Sequence, residues 1–175
     1  MHGGRSVFSV KSEIHVGALG GQSVEYVLVA ASLDPITYEQ AASQMGQTIQ
    51  AQLTYDEGGR VTGSVSGAIE ATIDTVFGTQ VYDLDMLSTI VPTMALADGA
   101  TFTLGIFQPT TQTFSQETLN VTDGGMVTVP AGEFDTWQVD MSGQLPWIFM
   151  VSKADPRRVV KMEIAPLSFE LAGTF

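Results

Sequence analysis

The sequence has no cysteine, and only two histidines, His2 and His15, in 175 residues. That removes disulfides, a thiolate nucleophile and any cysteine-based zinc or iron–sulfur centre. It also leaves too few imidazoles for a histidine-rich metal site. A Ser-His-Asp triad would have to use His15, which the pattern puts at a strand surface or edge, and no Gly-x-Ser-x-Gly elbow occurs. Basic residues are scarce as well: seven Lys and Arg face 19 Asp and Glu, for a formal charge of −12. A surface that negative repels phosphate backbones and anionic headgroups, which argues against nucleic acid as a partner. No apolar run is long enough for a membrane-spanning helix. No Gly-rich phosphate loop ending in Lys-Ser/Thr is present. Residues 1–6 lack the apolar core of a signal peptide and read as a leader or remnant, with a single domain expected over residues 7–175.

What the chain does have is alternation with a period of two. Ile49, Ala51, Leu53 and Tyr55 share one face of the run Gln47–Tyr55, and Thr48, Gln50, Gln52 and Thr54 share the other. Val160, Met162 and Ile164, and then Leu167, Phe169 and Leu171, repeat the pattern near the C-terminus. This is the signature of half-buried antiparallel strands, wet on one side. Further strands are expected around Val7–Val16, Val24–Ala31, Val61–Ser66, Ile69–Thr75, Thr101–Phe107, Thr113–Val121, Met126–Val129, Trp137–Met141 and Trp147–Ser152. Tyr26–Ala30 and Leu145–Val151 are apolar in both phases, so those strands should be covered on both sides. Turn residues punctuate the runs at Gly17–Gly21, Asp56-Glu57-Gly58-Gly59 and Asp123-Gly124-Gly125, the last two as hairpins, which predicts a meander. Helix is expected over Asp83–Ala97, where Leu84, Leu87, Ile90 and Val91 follow an Asp cap and Pro92 bends or ends the helix. A second short helix is expected over Thr37–Met45.

The most distinctive stretch is Val129-Pro130-Ala131-Gly132-Glu133-Phe134-Asp135-Thr136-Trp137-Gln138-Val139. It reads as a strand, a turn cornered by Pro130 and Gly132, and a returning strand. Phe134 is out of phase with Trp137, Val139 and Met141, so a bulge is expected after the turn. With this hairpin, with Trp147-Ile148-Phe149, and with the basic apolar strand Asp155–Glu163, the chain resembles a bacterial envelope family known only as a domain of unknown function. Leu96–Thr101 resembles the turn and strand ahead of the hairpin in that family, and the likeness spans roughly Ile69–Glu170. The resemblance implies a fold similar to lipoprotein-carrier (LolA- and LolB-like) half-barrels, in which a curved antiparallel sheet wraps a short helix. It implies, further, an apolar hollow that holds acyl chains, and a periplasmic or envelope location.

Several residue groups invite chemistry. Asp83 and Asp85 could supply half of a hard-cation site, but the calcium-loop spacing is absent and a helix cap beside the dipole explains them better. Asp56 and Glu57 read as a solvated turn. Glu133 and Asp135 flank Phe134 in a tight turn, where exposure keeps both ionised and unsuited to glycosidase chemistry. Four of the seven basic residues, Lys153, Arg157, Arg158 and Lys161, fall within nine positions. They could dock a carboxylate, headgroup or acidic partner, or simply neutralise neighbouring acids and guard an edge strand, the reading the pattern favours. Eight Met and nine Phe suit either a deformable cavity lining or a filled core.

The reading is therefore a mainly β protein: a strongly curved antiparallel sheet or half-open barrel of about ten strands, with one or two short helices. Its expected function is non-catalytic binding of a lipid or other hydrophobic ligand in the bacterial envelope, without a cofactor or metal. Phe102, Leu104, Trp137, Val139, Trp147 and Phe149 would line the hollow. The alternative is a structural or protein-interaction domain with a filled core, using an edge strand or the basic patch to meet an envelope partner.

Overall fold

The computed structural model describes residues 4–15, 20–44 and 46–173. His2, most of the Gly17–Gly21 turn, Met45 and the last two residues lie outside that set. Strand dominates, as expected: the sheets are antiparallel, one of them curls strongly into a half-barrel, and helix is confined to one short segment. Among the described residues, thirteen strands form two meanders. The first sheet runs in chain order through β1 (Val7–His15), β2 (Gly20–Val29), β3 (Pro35–Gln44), β4 (Gln47–Tyr55), β5 (Arg60–Gly67) and β6 (Ala71–Val76). The second runs through β7 (Val81–Tyr82), β8 (Thr101–Gln108), β9 (Thr113–Val129), β10 (Gly132–Ser142), β11 (Trp147–Ser152), β12 (Val159–Ile164) and β13 (Leu167–Glu170). The chain divides into two compact units, Met1–Asp85 with Phe107–Phe114, and Met86–Ile106 with Ser115–Phe175.

Three local expectations need correction. The helix expected over Thr37–Met45 is strand as far as it is described: residues up to Gln44 belong to β3, paired to β2 on one side and β4 on the other. Glu, Gln and Ala favour helix locally, but Ile36 and Tyr38 are buried only if the segment completes the ladder, and tertiary burial outweighs a few tenths of a kcal/mol per residue of propensity. Asp123-Gly124-Gly125 is not a hairpin either, since β9 runs straight through it. The expected helix over Asp83–Ala97 is shorter than the pattern suggests. A 3-10 turn at Leu84–Met86 leads into α1 (Leu87–Ile90), and a second 3-10 turn at Val91–Thr93 ends it around Pro92.

The first sheet separates its faces cleanly. Val24, Tyr26, Leu28, Tyr38, Ala51, Leu53, Tyr55, Val61, Val65 and Ile73 are all buried, each side chain stabilising the fold by roughly 1.5–3 kcal/mol if it is large and fully covered. The opposite phase carries Glu13, Ser23, Glu25, Glu39, Gln50, Gln52, Ser64 and Thr72 in cross-strand rows. The Asp56–Gly59 hairpin forms as read: the Asp56 side chain accepts from the Gly58 and Arg60 amides at 2.9 Å.

In the second unit, β10 pairs β9 on one side and β11 on the other. Leu119, Val121, Val139, Met141 and Phe149 are buried in adjoining rows. The Val91–Thr93 turn packs on β11, and Met86, Leu87, Ile90 and Val91 are buried with it. Phe149, Met150 and Val151 are consecutive and all buried, so β11 is covered on both sides, as its unbroken apolar run requires.

The hairpin at Pro130-Ala131 joins β9 to β10, with Val129 opposite Gly132. Further along, Trp137 pairs with Asp123 but Thr136 pairs with Gly125, so Gly124 is the extra residue of a β-bulge. Only glycine fits there: a β-carbon on Gly124 would lie 2.7 Å from both the Met150 methyl and the Thr136 hydroxyl. Because β10 is unbroken while β9 gains a residue, the buried face changes at this point. Val139 and Met141 are buried on one side of β10, and Thr136 on the other. A bulge was expected in the strand after the turn; its extra residue instead sits in the strand before the turn, across from Thr136 and Trp137.

Candidate functional site

The six residues expected to line a hollow fall within β8, β10 and β11. Val139 stands directly across from Phe149, and Met141 from Trp147. Val139 and Phe149 have no accessible surface, whereas Phe102, Leu104, Trp137 and Trp147 are half-buried. The Trp147 and Phe149 rings lie 6.0 Å apart, tilted by 48°. The second unit has a cleft of about 300 Å3, lined by Pro146, Ile148, Glu163, Ala165, Pro166, Leu167 and Ser168, which belongs to the other phase of the sheet.

The four basic residues do not form one cationic surface. Lys153 Nζ lies 2.8 Å from both Asp123 Oδ1 and Asp135 Oδ1, and 4.7 Å from the centre of the Trp137 ring. Hydrogen bonds from its ammonium hold the Asp123 carboxyl below the usual aspartate range. Lys161 sits 2.9 Å from Glu163 and 4.0 Å from Glu170. Arg157 donates to the Met94 carbonyl at 2.9 Å, which leaves Arg158 as the member of the group with the loosest side-chain contact, 3.5 Å to the Pro156 carbonyl.

Open clefts lie on the polar phase of the first sheet. One, of about 390 Å3, is lined by residues that include Glu13, His15, Ser23, Ala41, Ser43 and Gln50. A second, of about 300 Å3, shares Ser23, Ala41 and Gln50 and adds Lys11, Glu25 and Glu39. Ser23, Ala41 and Ser43 supply the small side chains of the larger cleft, while Glu25 and Glu39 of the same strands, β2 and β3, line the smaller one.

A family model described as "Protein of unknown function (DUF3108)" matches residues 5–166. The chain belongs to the DUF3108 family. No curated protein and no solved structure matches it.

The site that sequence reading under-weighed lies inside the first unit of this DUF3108 chain. Asp83 Oδ1 accepts from the Asp85 backbone amide at 3.0 Å, the capping role expected of it. Yet Asp83 is buried. Asp85 Oδ2 accepts from the Tyr38 hydroxyl at 2.8 Å and from the Gln22 side-chain amide at 2.9 Å. Burial pushes the Asp83 carboxyl far above the usual range, and the neighbouring Asp85 charge pushes it further. Asp85 is also raised by burial, against the opposing pull of its hydrogen bonds to Tyr38, Asp83 and Gln22. Burial, then the two aspartates, raises Tyr38, and burial followed by Asp83 raises Tyr55. The Tyr55 hydroxyl is buried with no hydrogen-bond partner among the described residues. The available signal was phase: Gln22, Tyr38 and Tyr55 occupy core-facing positions of their strands, where a polar atom must find a partner.

The second unit has its own buried acid. Glu117 has no accessible surface although it lies between Ser115 and Leu119 on the core phase of β9. Its Oε1 accepts from the Gln144 amide at 3.4 Å, and its Oε2 has no partner among the described residues. Among those residues, no three His, Asp or Glu side chains gather as a metal centre would need.

Proposed function

We propose that this DUF3108 chain acts by non-catalytic binding in the bacterial envelope, as a structural or protein-interaction domain with a filled interior. The observation that supports this most directly is the absence of accessible surface at Val139 and Phe149, two positions that a ligand-holding hollow would expose. The open ground is the polar phase of the first sheet, where clefts of about 390 and 300 Å3 adjoin. These fall at the small end of the range for ligand sites and have few aromatic walls. A surface patch that meets a partner protein fits them better. The excess of acid residues favours a partner with basic character.

The curled half-barrel sheet favours a second reading, carriage of a lipid or other apolar molecule. Phe102, Leu104, Trp137 and Trp147 retain partial exposure and would be its contact residues. The two readings separate by native mass spectrometry of the purified chain, followed by organic extraction. The filled-interior reading expects a bare mass and no uptake of a fluorescent fatty-acid probe. A co-purifying fatty acid or phospholipid that disappears in Leu104→Asp would overturn it in favour of carriage.

A further inference from the structure

We propose that Asp83 and Asp85 hold one proton between them, and that this shared proton is a pH-responsive latch fastening residues 83–85 to the core face of β2 and β3. Asp83 Oδ1 closes on the backbone amide of residue 85 at 3.0 Å, so the two acidic residues stand together on one turn, Asp83 buried and Asp85 partly so. Ionised carboxylates are acceptors only, so two of them crowded out of water have nothing to donate to each other, and one proton resolves the conflict. The donors are distributed accordingly. Asp85 receives two, from Tyr38 and Gln22, and is the partner equipped to carry the charge. Asp83 receives the Asp85 amide, is the more deeply buried of the two, and is the partner equipped to carry the proton.

The titratable groups facing the pair are Tyr38 from β3 and Tyr55 from β4, both kept neutral by burial. From β2 comes the uncharged amide of Gln22. Tyr82, on the same segment, is itself raised by burial and by Asp34. Among the described residues no Lys, Arg or His pairs with either aspartate, so no cation relieves the second negative charge when the proton leaves.

The direction of the response follows from linkage. Both folded values are raised above the unfolded one, so the pair's contribution to stability is complete below the ordinary aspartate range. It is lost as pH rises through the upper folded value. Acidification therefore tightens the latch. Alkalinisation removes the proton, sets two buried carboxylates against each other, and frees residues 83–85 from Tyr38 and Gln22.

The test is a carbon-detected NMR titration of the two aspartate carboxyls in the full chain, with hydrogen exchange followed at the Asp85 amide. The expected result is two coupled apparent values, the upper well above the usual carboxylate range. Protection of the Asp85 amide, corrected for intrinsic base catalysis, should fall at least tenfold across that upper step. Asp83→Asn keeps a neutral hydrogen-bonding group and should abolish the step. Tyr38→Phe removes a donor to the charged partner and should raise the upper value in a chain that keeps its ring packing. Two independent titrations near the ordinary aspartate value in the wild-type chain, or a Tyr38→Phe titration that coincides with it, would overturn the proposal.

Discussion

The carboxyl group of Glu117 lies directly against the α-carbon of Gly143, so closely that a β-carbon at residue 143 would overlap Oε2. Gly143 also has φ of +144°, a backbone conformation that L side chains rarely adopt. Gly143→Ala should therefore destabilise by about 1–3 kcal/mol, measured by urea denaturation. In a Glu117→Ala background the steric part of the cost is gone, and the same substitution should cost clearly less. Equal costs in the two backgrounds would show that backbone strain alone is responsible.

Phe149 fills its site, having no accessible surface. Phe149→Ala should cost about 3–5 kcal/mol, the range for a large ring removed from a packed core. A shift in the urea midpoint worth less than about 1 kcal/mol would mean that the ring borders open space, and would favour the carriage reading.

Tyr55 carries a buried hydroxyl that has no partner among the described residues. Leaving such a group unsatisfied costs about 1–3 kcal/mol, so Tyr55→Phe should raise stability by about 1 kcal/mol, read from the thermal midpoint. A loss in place of a gain would put an ordered water between Tyr55 and Asp83.

Lys153 joins Asp123, Asp135 and the Trp137 ring. Lys153→Met retains the aliphatic stem over the indole and removes the charge. The Asp123 carboxyl should then return toward the ordinary aspartate value, as followed by NMR. Because Asp123 is lowered in the fold, the pair's contribution is present at neutral pH and lost as pH falls through that lowered value. A Lys153→Met chain should show a weaker acid dependence of stability over that interval.

Much of the first sheet was legible because its alternation is regular: Ile49 to Tyr55 in one phase and Thr48 to Thr54 in the other map directly onto β4. β3 was not, because Glu39, Gln40, Ala41 and Ala42 are good helix formers and only the strands beside them decide the outcome. Asp123-Gly124-Gly125 misled for a related reason. Two glycines permit positive φ in a turn and in a bulge alike, and Gly125 has φ of +63°. Only the continued pairing of Met126, Val127 and Thr128 with β10 distinguishes the two. The buried acids were harder still. Asp83 and Asp85 were visible as a pair, but their setting depends on Tyr38 and Gln22, 45 and 61 or more residues away in the chain. Glu117 gave one clue, an acid in the phase of Ser115, Leu119 and Val121.

The extra residue at Gly124 lets β9 run one residue longer than the stretch of β10 it faces. Beyond it the ladder is regular again, with Val127 opposite Phe134 and Val129 opposite Gly132. Cross-strand partners share a side of the sheet, so a chain without Gly124 would keep these pairs and lose the local kink. The bulge thus works as slack in the strand, a point where one residue of length is taken up before the Pro130-Ala131 turn.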